Sequence, residues 1–327
     1  MNVKYDFGPY QVLKKIADGT VGEVFKARQL SNKETEQRPV IIKTFNPHYV
    51  DRRNDADLGM NFIHRSFLKY HLISQDKNTE FYFTVTDPLN VEPHNADLMT
   101  KRKTKLNFKE KMMRFIDLGE AIGALHARGS YHGALKPSNI LVRFPETEYH
   151  MVVTDFGFQY KLDEDYLEDN ERYYESFLYM APEMLGDIIP DVWRGYINQA
   201  EVTNPKDRET GGRAASDVYS WAMLIIYSLN GGFDGFYLTR EADGTPYEDH
   251  RARENLEYLF TKKIEVRDRL TLSINKKAPI DSEGFTEFIY TCLAPHPTHR
   301  YTDMNEALKV FKELVPSDWL TKKKTFY

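Results

Sequence analysis

A single cysteine, Cys292, stands among the 327 residues, so no disulfide can form within the chain. Such scarcity is typical of reducing compartments, and a cytoplasmic location is the expectation. Long apolar runs are also missing. The longest, residues 221–227 (WAMLIIY), is a fraction of the ~20 residues a helix needs to cross a bilayer. The opening residues, MNVKYDFGPY, carry no apolar stretch of the kind a secretory signal requires. No large excess of charge is present: 44 Lys and Arg against 49 Asp and Glu leave a net charge of −5. That balance argues against nucleic-acid binding driven by bulk electrostatics. There is no internal repeat and no low-complexity segment, and no glutamate between Glu36 and Glu80.

What is present is an ordinary folded composition, 41% hydrophobic and 28% charged, in a chain long enough to bury a large core. Residues 1–9 read as a loose arm. Strands are predicted at 10–16, 23–28, 40–45 and 80–86, the last (EFYFTVT) dense in aromatic and β-branched residues. Residues 54–66 carry a helical pattern with Leu58, Phe62 and Ile63 on one side, weakened by Gly59. After Pro88 the character changes to helices, at 108–128, 216–229 with Ser216 as N-cap, 255–260, 282–292 and 304–314. Residues 198–212 are polar and read as a loop insertion. Strands first and helices after predict an α+β, bilobal chain. The division is a small β-rich lobe over 10–88, a larger mainly helical lobe over 89–315 and a tail over 316–327, with the joint near 86–91.

Two motifs carry the chemistry. Residues 131–142 (YHGALKPSNILV) form a tight polar loop turning into a short apolar strand, with Lys136 and Asn139 three residues apart. Thr154-Asp155-Phe156-Gly157 follows another apolar strand, and Asp155 lies sixteen residues beyond Asn139. Together they resemble the catalytic loop and the magnesium-binding Asp-Phe-Gly of eukaryotic-type protein kinases. The family pattern is His-Arg-Asp-Leu-Lys-Pro-x-Asn. His132, Leu135, Lys136, Pro137 and Asn139 match it, whereas Gly133 replaces the Arg and Ala134 the Asp.

That resemblance implies a bilobal protein-kinase-like fold with ATP and Mg²⁺ as its cofactors. Asn139 and Asp155 would be the metal ligands, hard oxygen donors that suit Mg²⁺. Residues 17–24 (ADGTVGEV) resemble the glycine-rich phosphate-covering loop, with Ala17 in place of the first Gly and with Gly19, Gly22 and Val24 matching; a plain hairpin turn is the other reading. Lys43, in the strand VIIK, matches the lysine that holds the α- and β-phosphates. Ile41 stands where the family has an alanine roofing the adenine ring. Val85 and Leu141 are further nucleotide-pocket positions on the same resemblance. The helix glutamate that pairs with the lysine has no match. Asp55 and Asp57 lie near its place and read otherwise as surface carboxylates.

Ala134 has no atom to accept a proton, so the resemblance is to a pseudokinase: a disarmed kinase module acting as scaffold or allosteric regulator of a protein partner, an active kinase included. The alternative is a slow or atypical phosphotransferase that takes its base from elsewhere. Lys136, which in the family steadies the transferred phosphate, cannot be that base while protonated. Residues 179–183 (YMAPE), 217–221 (DVYSW) and 296–300 (HPTHR) resemble structural landmarks of the helical lobe and predict a Glu183–Arg300 ion pair. Gly133 removes the arginine that grips activation-loop phosphate. Residues 161–175 already hold seven Asp and Glu against two Lys and Arg. Phosphate on Tyr160, Tyr166, Tyr173 or Tyr174 would meet like charge there, and the run reads as a solvated loop or a dock for a basic partner. The basic clusters 101–105 (KRKTK) and 322–324 read as solvated surface, with an acidic partner or lipid headgroups as the alternative.

Overall fold

The computed structural model describes residues 6–19, 21–30, 38–88, 91–92, 107–143, 150–160, 176–199, 212–230, 252–265 and 280–320. The acidic run 161–175 and the basic clusters 101–105 and 322–324 lie outside the described residues, as does most of the predicted loop insertion.

The first lobe is a six-stranded antiparallel sheet. Its strands are β1 (Asp6–Phe7), β2 (Tyr10–Asp18), β3 (Glu23–Gln29), β4 (Arg38–Phe45), β6 (Tyr70–Gln75) and β7 (Tyr82–Thr86), in the order β1-β2-β3-β4-β7-β6. Period-two alternation decides what each face does. Val40 and Ile42 of β4 join Phe25, Ala27, Phe83 and Val85 in a small core, and Ile41 and Lys43 take the other face. Phe7 is 1% exposed within that core and Phe7 pairs with Tyr10, so the predicted arm is wrong for residues 6–9. An aromatic against Phe25 and Phe83 gains more by burial than a free terminus gains in entropy.

The segment after β4 departs from the predicted helix. It forms β5 (Val50–Arg52), a turn and a single helical turn, α1 (Leu58–Asn61). Ile63, placed on the apolar side of the pattern, is 82% exposed. Gly59 packs so closely on Tyr70 that an added Cβ would lie 2.7 Å from its ring, a contact that a long helix with ordinary side chains would not make. β5 pairs instead with β11 (Phe158–Tyr160), which follows directly on Asp-Phe-Gly.

The second lobe is built on α2 (Phe108–His126), closed at its N-terminus by an Asn107–Glu110 capping box. Strand β8 (Val91–Glu92), ahead of α2 in the chain, and strands β9 (Ile140–Arg143) and β10 (His150–Val153), after it, form a small antiparallel sheet. Then come α3 (Pro182–Leu185), α4 (Pro190–Gln199), α5 (Gly212–Asn230), α6 (Ala252–Ile264), α7 (Ser282–Cys292), α8 (Met304–Leu314) and α9 (Ser317–Leu320). Trp221 of α5 is fully buried, packs on Phe288 and Phe311, and donates its indole N–H to the Phe115 carbonyl at 3.1 Å. Ser216 is not an N-cap. It sits inside α5, its hydroxyl donating to the Arg213 carbonyl at 2.6 Å, because Arg213, Ala214 and Ala215 extend the helix by a turn. The predicted tail also fails at its start: Trp319 is 8% exposed and packs edge-on to Phe108. Among the described residues no helix is long and apolar enough to cross a membrane.

Candidate functional site

The site lies between the free face of β3–β4 and the loops that follow α2 and β10. On β3–β4 the antiparallel register puts Lys43 opposite Val24, and Val24 opposite Ala17. The turn between β2 and β3 is tight: the Gly19 N–H donates to the Gly22 carbonyl at 2.7 Å. A Cβ on Gly22 would fall 1.9 Å from the Thr44 carbonyl oxygen, so only glycine fits. Gly19 sits over Lys43, its Cβ position 3.9 Å from Lys43 Cε. Gly22→Ala is therefore expected to force the turn off the end of β4 and lower the melting temperature, a result that a thermal scan with Gly19→Ala as the milder companion would check.

Lys43 Nζ is ion-paired with Asp155 Oδ2. No helix carboxylate takes that role in the described residues: Asp55 is bonded to Arg53 and Ser130, and Asp57 to Arg52. Val85 is a correction. It lies opposite Ile42, 1% exposed in the core on the far face, and the register partners of Lys43 and Ile41 are Thr84 and Thr86. One position along a strand reverses the face a side chain takes. Leu141 lies in β9, half-buried and opposite Val152.

Asp155 adopts a left-handed backbone, φ +64°, and its second oxygen accepts from the Thr154 hydroxyl at 3.2 Å. The Phe156 N–H donates to Tyr70 Oη at 3.2 Å. The Thr154 N–H donates to the Asn139 carbonyl at 2.9 Å, which brings the two halves of the motif together. The Asn139 amide nitrogen donates to the Ala134 carbonyl at 2.9 Å, so its amide oxygen is the atom it can offer a cation.

Asp217, on α5, holds the catalytic loop from beneath. It accepts the backbone N–H groups of His132 at 2.6 Å and Gly133 at 2.8 Å, with His126 Nε2 3.0 Å away. Burial alone would push its carboxyl up, but the hydrogen bond with His126 and the Gly133 N–H hold it below the usual carboxylate range. His132 is fully buried, with Nε2 2.8 Å from the Thr154 carbonyl and Nδ1 accepting the Ala134 N–H at 3.2 Å. Those partners require the neutral Nε2–H tautomer, so His132 has no free nitrogen to take a proton from a substrate. Lys136 donates to Ser176 Oγ at 2.7 Å.

Burial also pushes the His132 imidazole below its ordinary value. The unfolded chain, with a histidine pKa of about 6.5, then takes up the proton first. Stability from this group is full above that value and falls as the pH drops toward the folded-state pKa. Urea denaturation is expected to give a lower midpoint at about pH 5.5 than at about pH 7.5. His132→Gln, which keeps a donor for the Thr154 carbonyl, should remove part of the difference.

Arg53 was not legible as a site residue. Its guanidinium donates to the carbonyls of His132 at 2.9 Å and Tyr131 at 2.6 Å and pairs with Asp55. Farther out, Arg300 makes the predicted pair with Glu183, two parallel bonds of 2.6 and 2.8 Å.

The model of the protein kinase domain family matches residues 10–320. The chain belongs to the protein kinase domain family. Among curated relatives of this kinase chain, human ribosomal protein S6 kinase alpha-2 is 27% identical over 192 residues, 56% of this chain and 24% of the relative. The probable serine/threonine-protein kinase glkA of Dictyostelium discoideum is 25% identical over 185 residues, 54% of this chain and 35% of the relative. The chain thus spans about a quarter to a third of the length of these kinases. Among solved structures, the crystal structure of the Mycobacterium tuberculosis PknI kinase domain superposes with a TM-score of 0.57 at 14% identity. It covers 96% of this chain and 100% of that one, a likeness that shows the fold.

Proposed function

We propose that this kinase-fold chain is a pseudokinase, a scaffold or allosteric regulator of a protein partner such as an active kinase, which keeps a nucleotide site. The observation that carries the reading is Ala134. Its backbone is held as a catalytic loop requires, by His132 on one side and Asn139 on the other, yet its side chain is a methyl group. A positioned general base is worth typically ~10²–10⁴-fold. His132 cannot replace it, for the reason of tautomer given above, and Lys136 donates to Ser176 Oγ.

The residues present fit a nucleoside triphosphate with a divalent cation. Lys43 and the Gly19–Gly22 turn would hold the phosphates, and Asp155 with the Asn139 amide oxygen would hold the cation. Among the described residues no group of three or more His, Cys, Asp or Glu could hold a metal, so the cation would need phosphate oxygens to complete its shell. The bound group supplies the phosphoryl chemistry of the family; this chain's own residues position it. Ile41, on the Lys43 face, narrows the space for the base. Overfilling of this kind costs about 1–3 kcal/mol. Ile41→Ala is thus expected to tighten ATP binding by roughly ten- to a hundredfold, read by titration of a fluorescent nucleotide; an unchanged affinity would remove Ile41 from the pocket.

A second reading, a slow phosphotransferase, is favoured by the joint survival of Lys43, Lys136, Asn139 and Asp155. Radiolabelled autophosphorylation with Asp155→Asn as control separates the two. The proposal expects no incorporation above the control. Incorporation that disappears in the control supports the enzyme. Thermal shift with ATP, with and without Mg²⁺, reports binding independently, because a ligand selective for the folded state raises the melting temperature.

A further inference from the structure

We propose that Arg53 is a positioning residue that orders the catalytic loop and Asp155-Phe156-Gly157 from outside both motifs, with no need of a phosphate. Its side chain is 8% exposed, and each nitrogen of its guanidinium is engaged by the chain itself. Nε binds Asp55 at 2.8 Å, Nη1 the His132 carbonyl at 2.9 Å, and Nη2 the Tyr131 carbonyl at 2.6 Å as well as Asp55. Ser130 donates to the same Asp55 carboxylate, which closes the loop onto the segment. The guanidinium also lies 3.9 Å from the Tyr131 ring centre and 5.2 Å from that of Phe156, so one cation touches both motifs.

The backbone of the same segment grips the second motif directly. The Arg53 N–H donates to the Gly157 carbonyl at 2.9 Å, and Arg52 pairs with Phe158 in the β5–β11 ladder. Gly157 has φ +89°, and a Cβ there would lie 2.6 Å from Ala56 Cα. Gly133 completes the fit. A Cβ on it would fall 2.8 Å from the Tyr131 ring and 3.3 Å from Arg53 Nη1. The guanidinium and the tyrosine ring thus occupy the space beside position 133, where the chain itself carries no side chain. With every nitrogen bonded to the chain's own acceptors, the clamp is closed as it stands. It applies equally to a chain that transfers phosphate and to one that only binds nucleotide.

Hydrogen–deuterium exchange of the full chain, well below its melting temperature, tests this without any nucleotide. Arg53→Ala is expected to speed exchange about tenfold or more in peptides covering residues 131–134 and 156–159. Amides of α5 and α8 should keep their wild-type rates. Arg53→Lys keeps the charge beside Asp55 but loses the forked donors, so it should loosen residues 131–134 in the same way; it carries the test should the alanine variant not fold. Phosphatase treatment of the wild-type chain should leave both peptides unchanged. Wild-type exchange in the variants, an equal rise across α5 and α8, or loosening of either peptide by phosphatase would each overturn the proposal.

Discussion

Arg300→Ala is expected to cost about 3–5 kcal/mol of folding stability, the range for breaking one side of a buried ion pair. The Arg300 side chain has no exposed surface, and Glu183 is 12% exposed. Removing the guanidinium strips Glu183 of both charge-assisted bonds. It also strips the carbonyls of Ala294 and Pro295 of their donor bonds at 2.6 and 2.8 Å. Tyr219 adds to the loss, since its buried ring carries the Arg300 cation at 4.9 Å. A typical domain has about 5–15 kcal/mol in total, so the variant should be part-unfolded at moderate temperature. Urea denaturation gives the number. A loss under about 1 kcal/mol, the worth of an exposed pair, would mean that solvent reaches the pair. The double change Arg300→Met with Glu183→Leu should recover much of the loss, because replacing both charges with apolar groups leaves none unpaired.

The pattern of strands and helices was legible wherever one face of an element is buried and the other is not. β4 and α8 are the clearest cases: Val40 and Ile42 alternate inward on one, and Met304, Ala307, Leu308 and Phe311 line the buried side of the other. Residues 54–66 misled because their spacing imitates a helix while their partners lie far away. Asp55 is held by Arg53 and Ser130, Gly59 is pressed on Tyr70, and β5 finds its ladder at β11, about a hundred residues along the chain. No local propensity encodes such a pairing. α4 was missed although Val192, Trp193, Tyr196 and Ile197 recur at helical spacing and are half-buried or buried, and β6 was missed because its short run, YHLISQ, alternates only weakly.

The site itself was legible as motifs more than as geometry. Spacing linked Asn139 to Asp155, and the Thr154–Asn139 backbone bond is the structural form of that link. Val85 shows the limit, since motif counting fixes a position along a strand within about one residue and the pleat turns that margin into the opposite face. Arg53 shows another. Its only sequence signal was indirect: an unassigned Arg-Arg pair ahead of two aspartates, and a glycine where the family has arginine.

Ala134→Asp is the substitution expected to gain most. The loop already holds residue 134 by its N–H and its carbonyl, so an aspartate needs no new backbone to reach the place of the family's base. Restoring a base is worth about 10²–10⁴-fold in the rate of transfer. The gain should still leave the chain below the ~1–100 turnovers per second of working kinases. Lys43 is paired with Asp155, among the described residues no helix carboxylate is bonded to it, and Ile41 on the same face is the residue proposed above to narrow the nucleotide site. Single-turnover transfer of radiolabel from ATP, measured with and without Asp155→Asn on the same background, isolates the effect. A gain of about a hundredfold that vanishes with Asp155→Asn is the expected result. If the parent chain transfers phosphate and Ala134→Asp changes the rate by less than a few-fold, another group already accepts the proton, and the methyl group at 134 has disarmed nothing.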